Sequence, residues 1–164
     1  MRSEFKTTKV GGSPGVIWRR MLTVVLGVCC LGMAGVARGQ STWNLNADGA
    51  WGTAGNWSPS GVPSSIGANV TFGSVITANR LINVGAARTV GSITFNDDNN
   101  YTLGTSGSLV MDVSSGSASI FLPAANTGSH TISQGIALND PFVITNQSSG
   151  GLTLNGIILS LIHI

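Results

Sequence analysis

Short runs of alternating apolar and polar residues recur along the chain, each bounded by Gly, Asn, Ser or Pro. Alternation places successive side chains on opposite faces of an extended strand. Ala68–Phe72, Leu81–Val84, Ser92–Phe95, Tyr101–Leu103 and Ser108–Val113 read this way. So do Ser119–Leu122, His130–Ile132, Ile136–Leu138, Phe142–Ile144 and Leu152–Leu154. In Ser108–Val113, Leu109, Met111 and Val113 share one face. No window carries the 3.6-residue apolar stripe of an amphipathic helix. The pattern predicts an all-β chain.

The runs also return at a fixed distance. Ile93 and Phe95 are followed sixteen positions later by Leu109 and Met111. Ile120 and Leu122 are followed at the same distance by Ile136 and Leu138, then by Leu152 and Leu154. A repeated inward pair suggests coils stacked one on the next. The expectation is a right-handed parallel β-helix in which Ile120, Ile136 and Leu152 form one ladder and Leu122, Leu138 and Leu154 another. A β-sandwich, which also spaces its strands evenly, is the alternative.

Composition supports strands and turns. After residue 40, Gly, Ser, Thr and Asn make up nearly half of the chain. Gly and Asn suit tight turns, and Thr suits strands. Charge is scarce and divided unevenly. Residues 1–40 hold six of the eight Lys and Arg. Beyond them only Arg80 and Arg88 oppose Asp48, Asp97, Asp98, Asp112 and Asp140, a net charge of −3. The whole-chain pI near 8.8 therefore reflects the first segment. With no basic patch after residue 40, nucleic acid is not an expected partner.

That first segment reads as an export signal over residues 1–39. Arg19 and Arg20 close a basic stretch, Met21–Ala37 are uncharged and mostly apolar, and small residues follow. Cleavage after Ala37 or Gly39 satisfies the small-residue rule. An uncleaved anchor is the alternative, although the run is short for a span of about 20 residues. Arg19–Arg20 fits a twin-arginine signal poorly, which leaves the export route open. Cys29 and Cys30 both lie in this segment, so the exported part has no thiol for a disulfide, a metal or a nucleophile.

Trp43-Asn44-Leu45, Gly49-Ala50-Trp51, Asn56-Trp57-Ser58 and Gly61-Val62-Pro63 form a W…GxW…NWS…GxP opening. Gly91-Ser92-Ile93-Thr94-Phe95-Asn96 and Gly150-Gly151-Leu152-Thr153-Leu154-Asn155-Gly156 follow it. Over residues 41–157 the chain resembles the N-terminal part of bacterial proteins with autotransporter-associated β-strand repeats. The resemblance implies an exported, right-handed β-helix at the cell surface of a Gram-negative-type bacterium, structural or adhesive, with no catalytic residues. The chain divides accordingly into a leader, a Trp-rich N-terminal cap at 41–67, solenoid repeats at 68–156 and a tail at 157–164. That tail is apolar and lacks alternation, and is expected to be truncated or non-native, with a closing strand as the alternative. An open solenoid end would permit self-association.

The search for chemistry yields little. Trp43, Trp51 and Trp57 read first as a cap over the first coil. Stacking against a sugar, as in a carbohydrate-binding module with a glycan partner, is the other reading. His130 reads as a solvent-facing strand residue. Asn96–Asn100 reads as a solvated turn, although its oxygen density also suits Ca²⁺. Asn56, Asn69, Asn100 and Asn146 stand in Asn-x-Ser/Thr triplets, which this composition produces freely. Zinc would need clustered His, Cys or carboxylates, and His163 lies in the doubtful tail. Arg80 and Arg88 are too few for a polysaccharide lyase groove. No catalytic residue, cofactor or metal is expected, and the chain reads as non-enzymatic.

Overall fold

The computed structural model describes residues 39–161; residues 1–38, which carry both cysteines and nearly all of the expected export signal, and His163 lie outside them. Gly- and Asn-rich punctuation cuts the chain into strands of two to five residues, too short to stand alone. They are stabilised by stacking. The opening segment carries β1 (Gln40–Trp43), β2 (Gly49–Ala50), a 3-10 turn (Ala54–Asn56) and β3 (Trp57–Ser58). Four three-strand coils follow. They are β4 (Asn69–Phe72), β5 (Arg80–Asn83) and β6 (Ala87–Val90); then β7 (Ser92–Phe95), β8 (Tyr101–Gly104) and β9 (Ser108–Met111). Next come β10 (Ala118–Leu122), β11 (His130–Ile132) and β12 (Gly135–Leu138); and finally β13 (Phe142–Asn146), β14 (Leu152–Leu154) and β15 (Ile158–Ser160).

Equivalent strands of successive coils pair in parallel and build three sheets. Sheet A runs β13-β10-β7-β4-β1-β3, sheet B runs β14-β11-β8-β5-β2, and sheet C runs β15-β12-β9-β6. Among the described strands only β3, which folds back on β1, is antiparallel. This is a parallel β-solenoid. The ladders begin at Gln40, one residue before the segment expected to be a cap, and run through it: β1 pairs with β4, and β2 with β5.

Stacked strands lie about 4.8 Å apart, so register decides which side chains touch. Sheet A aligns Val70 with Ile93, Ile93 with Ile120 and Ile120 with Ile144. Sheet B aligns Ile82, Leu103, Ile132 and Leu154. Sheet C aligns Leu109, Ile136 and Ile158. Every one of these steps exceeds twenty positions, and they vary from coil to coil. The expected sixteen-residue ladder is therefore wrong. Ile120 and Leu122 lie in sheet A, Ile136 and Leu138 in sheet C, and Leu152 and Leu154 in sheet B. The interval from Ile93 to Leu109, and from Ile120 to Ile136, is the arc from sheet A to sheet C within one coil. A full coil is longer because it also includes the turn from sheet C back to sheet A.

The apolar positions of every coil meet in one core along the axis. Branched aliphatics fill it coil after coil, each buried side chain contributing roughly 1.5–3 kcal/mol. Among the described residues the core is closed at the opening segment and open at the last coil. Ile144 and Ile158 occupy inward rungs yet are 43% and 47% exposed, because no strand among the described residues covers them. The first part of the apolar tail forms β15, in register on β12; residues 162–164 lie outside the described residues.

Gly107, just before β9, combines a left-handed backbone with a close approach of the neighbouring coil. Its φ is +87°, and an added Cβ would collide with the Ala86 carbonyl oxygen of the coil below. Backbone in this region favours glycine. Gly107→Ala is expected to lower stability by about 1–3 kcal/mol, read as a shift of the urea midpoint. Gly116→Ala has the same sign of φ but open space around it, and should cost less.

Candidate functional site

The opening segment holds the three tryptophans. Alternation turns Trp43 inward from β1, and the 3-10 turn brings Trp57 back beside it. Trp43 and Trp57 meet edge to face at 5.1 Å, and Trp51 lies 5.0 Å from Trp57. Each indole N–H donates to a carbonyl: Trp43 to Leu45 at 2.8 Å, Trp51 to Pro63 at 2.9 Å and Trp57 to Trp51 at 2.7 Å. All three rings are buried. They pack onto Phe72, which stacks on Phe95 at 5.3 Å. The rings thus cover the first apolar rung and leave no free face for a sugar.

A second cluster lies where sheet A turns into sheet B. Its residues come from the turns after β7 and β10 and from the starts of β8 and β11. His130, expected to face solvent, is fully buried. It shares a strand face with Ile132, and its ring stacks on Phe95 at 4.7 Å. Its Nδ1 accepts the Tyr101 backbone N–H at 3.2 Å, which leaves the proton of the neutral ring on Nε2. Burial pulls its pKa from 6.5 down to about 4, and the Asp97 charge only partly opposes that shift. Tyr101 donates its hydroxyl to the Gly73 carbonyl at 2.6 Å. Burial raises its pKa, and Asp97 raises it further.

Asn96–Asn100 forms the expected turn, but Asp97 is not solvated within it. Asp97 is 4% exposed. Its Oδ1 accepts from the Asn99 backbone N–H at 2.7 Å and from the Asn99 amide at 3.1 Å. Asn126, on the coil above, is also buried and donates its amide to the Phe95 carbonyl at 2.7 Å. Asp97 Oδ2, Asn126 Oδ1 and His130 Nε2 are buried without a hydrogen-bond partner.

The other charged side chains mostly join coils. Asp48 accepts from the Leu81 N–H, Asp98 from the Thr127 N–H and Asp140 from the Val113 N–H, at 2.9, 2.8 and 2.7 Å. Asp112 accepts from the Asn139 amide at 2.9 Å. Arg80 donates to the Asn46 side chain at 3.2 Å and Arg88 to the Val84 carbonyl at 3.2 Å. These two arginines belong to different sheets and make no shared groove. Among the described residues no group of three or more His, Cys, Asp or Glu gathers in a way that could hold a metal. Comparison of the chain with family models, curated proteins and solved structures finds no match.

Proposed function

We propose that the chain is an exported, non-enzymatic β-repeat protein of the bacterial surface, structural or adhesive, related to autotransporter-associated β-strand repeat proteins. The observation that carries this reading is where the polar chemistry goes. Four of the five aspartates beyond residue 40 bond an adjacent coil, and the rings of Trp43, Trp51, Trp57, Phe72, Phe95 and Tyr101 serve the core. Such a solenoid offers long, regular faces rather than a reactive cleft. The leader pattern supports export. A carbohydrate-binding role for Trp43, Trp51 and Trp57 draws no support from rings that are buried and fully bonded.

The rung of Ile144, Leu154 and Ile158, uncovered among the described residues like the edges of β13, β14 and β15, is suited to receive another strand layer. Self-association through this end is the accompanying proposal. Sedimentation velocity should reveal concentration-dependent assembly, which Ile144→Lys together with Ile158→Lys should abolish. Monomers at every concentration would refute it. Export is tested by intact mass of material from the cell envelope and medium. The expected N-terminus lies between Arg38 and Ser41, and exported protein that retains Met1 would contradict a cleaved leader. Binding to a panel of glycans and host surface proteins, absent with the heat-unfolded chain, tests adhesion; turnover of a polysaccharide would displace the non-enzymatic reading.

A further inference from the structure

We propose that the turn joining sheets A and B in the second and third of the four coils binds a calcium ion through Asp97, Asp98 and Asn126. The stacking of coils creates the site. Asp97 and Asp98 follow β7, and Asn126 follows β10 in the next coil up. The three residues line one hollow of about 180 Å³ together with Ser74, Asn96 and Ala125.

Two buried acceptors there have no donor. Asp97 commits Oδ1 to Asn99, while its Oδ2 is unpartnered. Asn126 is held by its amide nitrogen on the Phe95 carbonyl, which fixes which end of the side chain is oxygen, and that oxygen is unpartnered. Both residues are more than nine-tenths buried. A buried acceptor left unpaired is destabilising, and a charged one more so. A cation would satisfy both at once. Asp98 adds a second carboxylate from the rim, where its Oδ1 already accepts from Thr127.

The donor set selects the ion. Carboxylate, amide and hydroxyl oxygens suit hard cations, and neither thiolate nor imidazole lines the hollow. Ca²⁺ accepts irregular sets of six to eight oxygens completed by water, whereas Mg²⁺ demands near-octahedral geometry. Two carboxylates and a few neutral oxygens correspond to the weak extracellular range, with Kd on the order of 10⁻⁴–10⁻³ M. That range suits an exported protein.

The test is calorimetric titration of the chelator-stripped chain with CaCl₂, alongside melting curves with CaCl₂ or EDTA. Saturable binding of one ion per chain and a Tm raised by Ca²⁺ are expected. Asp98→Asn should weaken the affinity at least tenfold, whereas Asp48→Asn, distant in the opening segment, should leave it unchanged. Absence of saturable binding in the unmodified chain would overturn the proposal. So would equal weakening by Asp48→Asn, or Mg²⁺ binding as tightly as Ca²⁺.

Discussion

Ile120→Ala is expected to lower the unfolding free energy by about 2–5 kcal/mol, while Ile144→Ala, the same change one rung higher, lowers it by less than about 1 kcal/mol. Both residues project from sheet A onto the same ladder, in register across β10 and β13. Ile120 is fully enclosed by rungs below and above; Ile144 is 43% exposed. Truncating an enclosed side chain removes transfer energy and leaves a cavity that its neighbours fill incompletely. At the open rung water already reaches the side chain, so little cavity forms. Urea unfolding of the two variants reads the difference. Equal costs would mean that Ile144 is covered in solution, as self-association would produce, and a dilution series separates that case from an error in register.

Acidification should destabilise the fold by about 2–3 kcal/mol between pH 7 and pH 4 through His130 alone. The ring is wholly enclosed, and the folded chain keeps it neutral, with a pKa near 4, because burial penalises its charged form. The unfolded chain gains the proton near pH 6.5. Below that value the unfolded state binds more protons than the native state, so stability falls as pH falls. The contribution is present above pH 6.5 and is lost progressively down to about pH 4. His130→Leu should flatten this slope. It should also lower stability at pH 7, since the Tyr101 N–H loses its acceptor. Denaturation midpoints across this range, in EDTA, provide the measurement. A wild-type slope unchanged by the substitution would show that other groups carry the acid response.

Most strands are legible from alternation, and β7, β11 and β14 keep their sequence-derived bounds. Those missed have physical reasons. β1 runs into the stretch read as a cap, and β2 and β3 contain two residues each, too few to alternate. In β6 the position opposite Leu109 is Arg88, which disguises the apolar face. In β15 an unbroken apolar run hides the period. The sixteen-residue return is the arc from sheet A to sheet C in the second and third coils only, and from Ile136 to Leu152 it joins sheet C to sheet B of the next coil; sequence does not mark which turns complete a circuit. His130 is legible as an inward residue: it stands two positions before Ile132, and period-two alternation puts both on one face. Nothing in the sequence marks Asp97 as buried. Asn126, with which it lines one hollow, is remote along the chain, in the coil above.

The solenoid register is tested most directly by paired cysteines in a Cys29→Ser, Cys30→Ser background. Thr102 and Thr131 are opposite one another on β8 and β11, in successive coils, and both point outward. Neighbouring parallel strands place Cα atoms about 4.8 Å apart, within the range that a disulfide bridges. Thr102→Cys with Thr131→Cys should therefore oxidise within one chain and migrate faster on non-reducing gels. Phe121→Cys with Ala137→Cys joins positions that a sixteen-residue coil would stack but that lie on sheets A and C, and should remain reduced. The opposite outcome, with the second pair closing and the first failing to close, would contradict the three-sheet stack and reinstate the sixteen-residue coil.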